Sequence, residues 1–149
     1  MTATRAFRRD FDAVEELFAF TSDAFGTEGI DQRLRPTIDL VLEELFTNVV
    51  KYGEKSRAPV HVEVARTPGG VRVTMIEDDA ERFDPTAAPA TDITTPLEGR
   101  TPGGLGLHLV AKLVDSIEYR YVEASRQGRT TFSKALVRVA KEGEKDARD

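Results

Sequence analysis

Residues 31–53 read Asp-Gln-Arg-Leu-Arg-Pro-Thr-Ile-Asp-Leu-Val-Leu-Glu-Glu-Leu-Phe-Thr-Asn-Val-Val-Lys-Tyr-Gly. Leu34, Ile38, Val41, Leu42, Leu45, Phe46, Val49 and Val50 recur at the three- and four-residue steps that line up on one side of an α-helix. Gly53 follows where such a helix would stop. The pattern predicts an amphipathic helix from about Asp31 to Tyr52. A helix with a single apolar face needs a second layer to cover that face.

The flanking sequence supplies that layer. Upstream, past an N-terminal strand or coil, Asp10 is a candidate N-cap for a helix carrying Phe11, Val14, Leu17, Phe18 and Phe25, ending near residues 26–29. Downstream, Val60, Val62 and Val64 alternate with polar residues. Val71, Val73 and Met75 do the same after Pro68, Gly69 and Gly70, so the two runs read as an antiparallel hairpin. The segment from Pro85 to Pro102 holds four prolines and no periodicity. It is read as a lid loop over about 86–102, with a disordered insertion as the alternative.

Leu105, Leu107, Leu109, Val110, Leu113 and Val114 suit a short third helix. Strands are expected near Ile117–Val122 and Thr130–Val139, and residues 141–149 form a charged, frayed tail. The expectation is one domain over 1–149 with an α+β fold, a two-layer sandwich whose mostly antiparallel sheet is covered on one face by helices.

Composition narrows the function. A chain of 149 residues with 40% hydrophobic and 32% charged residues matches one globular domain rather than a disordered or membrane chain. A net charge of −5, with no basic stripe, argues against nucleic acid as a partner. There is no cysteine, hence no disulfide and no thiolate chemistry, which suits reducing cytosol. Met1–Asp12 carries Arg5, Arg8 and Arg9 with no apolar run, so no signal peptide is expected there. Nothing approaches the roughly 20 apolar residues of a membrane span. The expected location is cytoplasmic.

Candidate chemistry starts on the second helix. At about 100° per residue, Glu44, Asn48 and Lys51 share a stripe of roughly 60° bordering the apolar face, whereas Glu43 turns away. An asparagine oxygen suits magnesium, and a nearby carboxylate suits deprotonation of an attacking hydroxyl or water. The same stripe also reads as a solvated polar face. Asp78 and Asp79 leave the sheet at a turn, where a carboxylate can accept an amino proton or simply form the turn, as Asp84 before Pro85 also can.

Gly103, Gly104 and Gly106 open the third helix, where backbone amides can hold phosphates or the glycines can serve conformation alone. His108 reads as a packed histidine, and with only His61 besides there is no histidine metal cluster. Neither a P-loop nor a dinucleotide-binding glycine fingerprint is present.

Together these segments resemble the histidine-kinase-like ATPases. Glu44–Tyr52 is similar to the family's asparagine box, Ile76–Pro85 to its first glycine box, Gly103–Leu107 to its second, and Gln127–Phe132 to its closing strand motif. The motifs stand in the family's order over about residues 30–138, and the helix before them fits the compact branch of anti-sigma factor serine/threonine kinases.

The resemblance implies that ATP and Mg2+ are bound. Asp78 would take the adenine amino group, Asn48 the magnesium, and Glu44 the role of catalytic base. Gly104 and Gly106 would cradle phosphates, and Thr130 or Thr131 would complete the adenine pocket. Lys51, Ala80, Phe83, Gly103, Leu105 and Leu107 belong to the same implied site, and Arg100 would reach the terminal phosphate. Two departures stand out: Ala80 replaces a glycine of the first box, and Arg100 lies further from the glycines than the family's lid arginine.

The implied activity is phosphorylation of an anti-sigma factor antagonist of the STAS type, with a sigma factor sequestered and a homodimer as the expected assembly. A nucleotide-gated binding module with little or no kinase activity is the second reading. A complete sensor kinase, which needs dimerisation helices and a phospho-accepting histidine, is not expected.

Overall fold

A computed structural model describes residues 2–53, 56–85 and 104–136, with the backbone alone for 104–108. The expected lid at 86–102, Arg100, Gly103 and the tail at 141–149 lie outside the described residues. Five strands, β1 (Thr2–Phe7), β2 (Val60–Thr67), β3 (Gly70–Glu77), β4 (Ser116–Val122) and β5 (Gln127–Ala135), form one sheet in the order β1-β2-β3-β5-β4. Every neighbouring pair is antiparallel. Helices α1 (Val14–Glu28), α2 (Arg35–Tyr52) and α3 (Gly104–Leu113) complete the α+β architecture.

Period-two alternation decides which face the helices cover. Val60, Val62 and Val64 of β2 stand opposite Glu77, Met75 and Val73 of β3, and Val73 and Met75 stand opposite Phe132 and Thr130 of β5. These apolar side chains are buried with Leu17, Phe25, Ile38, Leu42, Leu45 and Phe46 from α1 and α2. Each large apolar side chain removed from water stabilises the fold by about 1.5–3 kcal/mol. Phe7, at the end of β1, packs edge-on against Phe20 and Phe46, with ring centroids 5.6 and 6.5 Å away. The N-terminal strand-or-coil segment is thereby an edge strand, tied to the core through Phe7.

The β2–β3 hairpin closes through Pro68 and Gly69, since Thr67 and Gly70 are the last paired residues. Gly69 has φ 69°, a left-handed conformation that glycine adopts without a Cβ clash.

Several expected boundaries are corrected. Asp10 does cap a helical start, but its carboxylate accepts from the Asp12 amide and opens a 3-10 turn at Phe11–Ala13, so α1 begins at Val14. Three residues per turn rotate Phe11 off the buried stripe. Its side chain is 52% exposed, while Ala13, Leu17, Phe20, Ala24 and Phe25 make the contact. Likewise Asp31 accepts from the Arg33 amide and starts a 3-10 turn at Gln32–Leu34, which delays α2 to Arg35. Leu109 is half-exposed, whereas Val110 and Val114 are buried. The last strand begins at Gln127, where its ladder with β4 starts, and the expected part at 137–139 is outside the described residues.

Candidate functional site

A cavity of about 420 Å³ opens where the C-terminal half of α2 meets the inward face of β3 and β5 and the turn that follows β3. Its inner wall is apolar, from Leu45, Val49 and Met75, with Asn48 and Thr130 as polar points. Its rim is charged and aromatic, from Lys51, Tyr52, Asp79, Arg82, Phe83 and Arg126. An apolar cleft with a few fixed polar groups is the usual form of a small-molecule site.

Helical periodicity brings Glu44 and Asn48 together. Asn48 is 3% exposed, and its Nδ2 donates to Glu44 Oε1 at 3.3 Å. Asn48 Oδ1 is buried with no hydrogen-bond partner among the described residues. Leaving such an oxygen unpaired costs about 1–3 kcal/mol, a cost that a bound cation or a ligand donor would remove. This donor set therefore fits magnesium, which takes few protein oxygens and fills its shell with phosphate and water. Glu44 is half-buried beside Asn48, and Lys51 is exposed at the cavity mouth. Tyr52, one residue on, stacks on Phe83 with centroids 5.6 Å apart. Gly53 ends the helix, and a Cβ there would collide with Arg9 Nη1 and the Val49 carbonyl.

The turn after β3 divides two adjacent carboxylates. Glu77 continues the inward series of Val71, Val73 and Met75 and lines the cavity. Burial pushes its carboxyl above the ordinary glutamate range, an effect that nearby Arg9 partly opposes. Asp78 has the opposite orientation. Its Oδ1 accepts from Gln127 Nε2 at 3.0 Å, its Oδ2 lies 3.6 Å from His61 Nε2, and it is not among the cavity-lining residues.

Asp79 and Arg126 both have left-handed backbones, with φ 49° and 52°, and face each other through an ion pair of 3.3 Å. Ala80 is buried and held at both backbone ends. Its amide donates to the Arg126 carbonyl at 2.8 Å, and its carbonyl accepts from the Tyr121 hydroxyl at 2.7 Å. The left-handed turn position falls on Asp79, so Ala80 needs no glycine-only conformation. The Phe83 amide donates to the Tyr119 hydroxyl at 3.1 Å, and burial pushes that tyrosine's proton affinity up.

Of the two candidate threonines on β5, Thr130 faces the cavity opposite Met75 and is 2% exposed. Thr131 stands on the other face of the sheet, its hydroxyl 3.3 Å from that of Thr74. Alternation forces this split, because neighbours in a strand point to opposite faces. Gly104, Leu105, Gly106 and Leu107 form the opening turns of α3, the end of a helix at which free amides gather.

Arg9 was not anticipated. Its Nε donates to the Ala58 carbonyl and its Nη2 to the Asp78 carbonyl, both at 2.8 Å, while Nη1 is buried with no partner among the described residues. It thus ties the chain leaving β1 to the segment after α2 and to the turn after β3. No local pattern marks it, since its partners lie 49 and 69 residues away. Glu77 did carry a signal, the continued alternation from Val71.

Among the described residues, no group of three or more His, Cys, Asp or Glu is arranged to hold a metal ion, and no helix is long and apolar enough to cross a membrane. No curated protein matches the chain. Among solved structures, the RsbU and RsbW domains of Rv1364c from Mycobacterium tuberculosis superpose with a TM-score of 0.63 at 16% identity, over 95% of this chain and 34% of that one. The present chain thus spans about a third of that protein's crystallised length. The histidine kinase AdeS from Acinetobacter baumannii superposes with a TM-score of 0.45 at 17% identity, over 90% of this chain and 68% of that one. The first of these likenesses shows a shared fold. The family model for the histidine kinase-like ATPase domain matches residues 7–134, from the end of β1 nearly to the end of β5, and this chain belongs to that family.

Proposed function

We propose that this chain is an ATP-binding protein kinase of the anti-sigma factor type, which phosphorylates a serine or threonine on a STAS-type antagonist and sequesters a sigma factor. The observation that carries the reading is the buried Asn48, its oxygen unpaired and its amide on Glu44, at the wall of the cavity in a chain of this ATPase family. In this reading Asn48 holds Mg2+, which when bound neutralises phosphate charge. Glu44 takes the proton of the attacking hydroxyl, and the opening turns of α3, Gly104–Leu107, receive the phosphates. Thr130 and Phe83 border the base, with Lys51 at the mouth. The RsbW domain named in the similar structure supports the choice of partner class.

Calorimetric titration with Mg-ATP tests the site, and transfer of labelled phosphate to a STAS partner tests the chemistry. Asn48→Ala is expected to weaken Mg-ATP binding at least tenfold, an effect on the scale of one lost charge-assisted contact. Glu44→Ala is expected to bind ATP and transfer no phosphate. Undiminished transfer by Glu44→Ala removes the residue from the mechanism.

A second reading has its own observation. Ala80 is buried and pinned where the family's first glycine box has glycine, and the Asp78 carboxylate is engaged outside the cavity. A turn so held favours a module in which nucleotide occupancy gates a protein interface without transfer. Nucleotide-dependent partner binding with no phosphoserine formed would select this alternative.

A further inference from the structure

We infer that Tyr119 and Tyr121 of β4 are positioning residues for the cavity, holding the segment Ala80–Phe83 in place as its wall. As far as ligand affinity is concerned, this rests on the nucleotide-binding reading above. Ala80, Glu81, Arg82 and Phe83 all line the cavity, yet residues 80–84 belong to no helix or strand. A regular element satisfies its own peptide groups, whereas an irregular segment needs partners from elsewhere. Without them, a ligand that packs on the wall must also order it, at a cost in chain entropy.

The partners come from a strand that contributes no lining residue of its own. Alternation along β4 sets Tyr119 and Tyr121 on the face of Ile117, which packs against the core, and sends Glu118 and Arg120 to the other face. The Tyr121 hydroxyl donates to the Ala80 carbonyl at 2.7 Å, and the Tyr119 hydroxyl accepts from the Phe83 amide at 3.1 Å. Between these two bonds, the Arg82 guanidinium lies over the Tyr121 ring, 5.5 Å from its centroid. Phe83 in turn stacks on Tyr52 of α2. The contacts therefore run from β4 through the segment to the opposite wall of the cavity.

Tyr119 reaches Phe83 by way of Gly128. The ladder pairs Tyr119 with Thr130 and Tyr121 with Gly128, but the Tyr119 ring leans off its own partner and over the glycine. A Cβ at Gly128 would stand 3.2 Å from the Tyr119 hydroxyl and 3.5 Å from its Cε1. The second distance is ordinary contact, whereas the first requires the hydroxyl to shift. Gly128 does not have a left-handed backbone, so an alanine there meets the hydroxyl rather than backbone strain. The missing side chain at Gly128 thus makes room for the Tyr119 hydroxyl in particular.

The test pairs amide hydrogen exchange on the ligand-free full chain with calorimetric titration of Mg-ATP. Tyr119→Phe keeps the ring and removes one oxygen. It is expected to quicken exchange of the Phe83 amide roughly fivefold, with the core amides of β2 and β3 unchanged, and to weaken Mg-ATP binding by a similar factor. Tyr121→Phe is expected to weaken Mg-ATP binding to the same degree. Gly128→Ala is expected to reproduce the loss seen in Tyr119→Phe. The same alanine placed in the Tyr119→Phe chain is expected to add no further loss, because the atom it would crowd is gone.

Unchanged Mg-ATP affinity in both phenylalanine variants of a chain that binds the nucleotide overturns the inference. Exchange that quickens uniformly through the core overturns it too, since the hydroxyls would then stabilise the fold at large. Losses from Gly128→Ala and Tyr119→Phe that simply add would break the link between those two residues. A wild type that binds no Mg-ATP removes the nucleotide reading instead. Exchange at Phe83 then decides the positioning role alone: local quickening in Tyr119→Phe upholds it, and none refutes it.

Discussion

The C-terminal half of α2 and the turn after β3 form two walls of one cavity, yet they differ in how their side chains are aimed. On α2 the direction of Glu44, Asn48 and Lys51 follows from a constant rotation per residue, and Asn48 is buried beside Glu44 as that rotation requires. In the turn, Glu77, Asp78 and Asp79 point inward, outward and to the rim within three consecutive residues. The turn takes its shape from distant partners: Arg9 from the N-terminal segment, and Tyr121, Arg126 and Gln127 from β4, β5 and their connection. A regular element carries its own geometry, whereas a turn borrows it.

If that contrast holds, damage to each wall should take a different form. The largest effect is expected in the core beneath α2. Phe46 is fully buried, and Phe46→Ala should cost about 3–5 kcal/mol in urea unfolding, because the cavity left behind cannot collapse completely. A loss below about 1 kcal/mol would show that α2 is not anchored by its apolar stripe.

Arg9→Ala comes next. It removes two hydrogen bonds from a charged donor to carbonyls of separate segments, and should cost about 2 kcal/mol. Amide hydrogen exchange should quicken first around Asp78–Ala80, with α2 unaffected. Uniform quickening would mean that the turn is not a separately held unit.

The smallest effect is expected for Glu77→Gln, and it sharpens the comparison because its sign is opposite. The folded state raises the Glu77 proton affinity, so the wild type is relatively stabilised below its unfolded value of about 4.5 and loses that contribution as pH rises through the folded value. The glutamine variant has no such proton to lose. Its advantage in melting temperature should therefore be least in acid and grow toward neutral pH. Each tenfold strengthening of proton binding in the folded state corresponds to about 1.4 kcal/mol. A pH-independent difference would place the Glu77 carboxylate in water rather than in the cavity wall.

Most of the fold was legible because its elements bury one face each. The spacing from Leu34 to Val50 announced α2, and the alternating valines announced the β2–β3 hairpin with its Pro68–Gly69 turn. The boundaries were less so. Asp10 and Asp31 mark chain turns correctly, but each opens a 3-10 turn before the α-helix, and hydrophobic spacing over three residues does not separate the two helix types. In the site, the Glu44–Asn48 pair was readable from helical spacing. The choice of Thr130 over Thr131 needed the strand register, which pairs Thr130 with Met75. Arg9 had no sequence signal at all, because its role is defined by carbonyls far along the chain.

The sequence by itself determined the α+β class, the helix that carries Asn48, the order of the motifs and the inward series of β3. These follow from periodicity and backbone preference, which act over a few residues. Only the tertiary structure decided that β1 pairs at the sheet edge, that Arg9 locks the turn after β3, and that Asp78 is drawn outward to Gln127 while Glu77 faces the cavity. Those outcomes depend on which hydrogen-bonding groups meet across 49 to 69 residues of chain, and no local preference encodes such meetings.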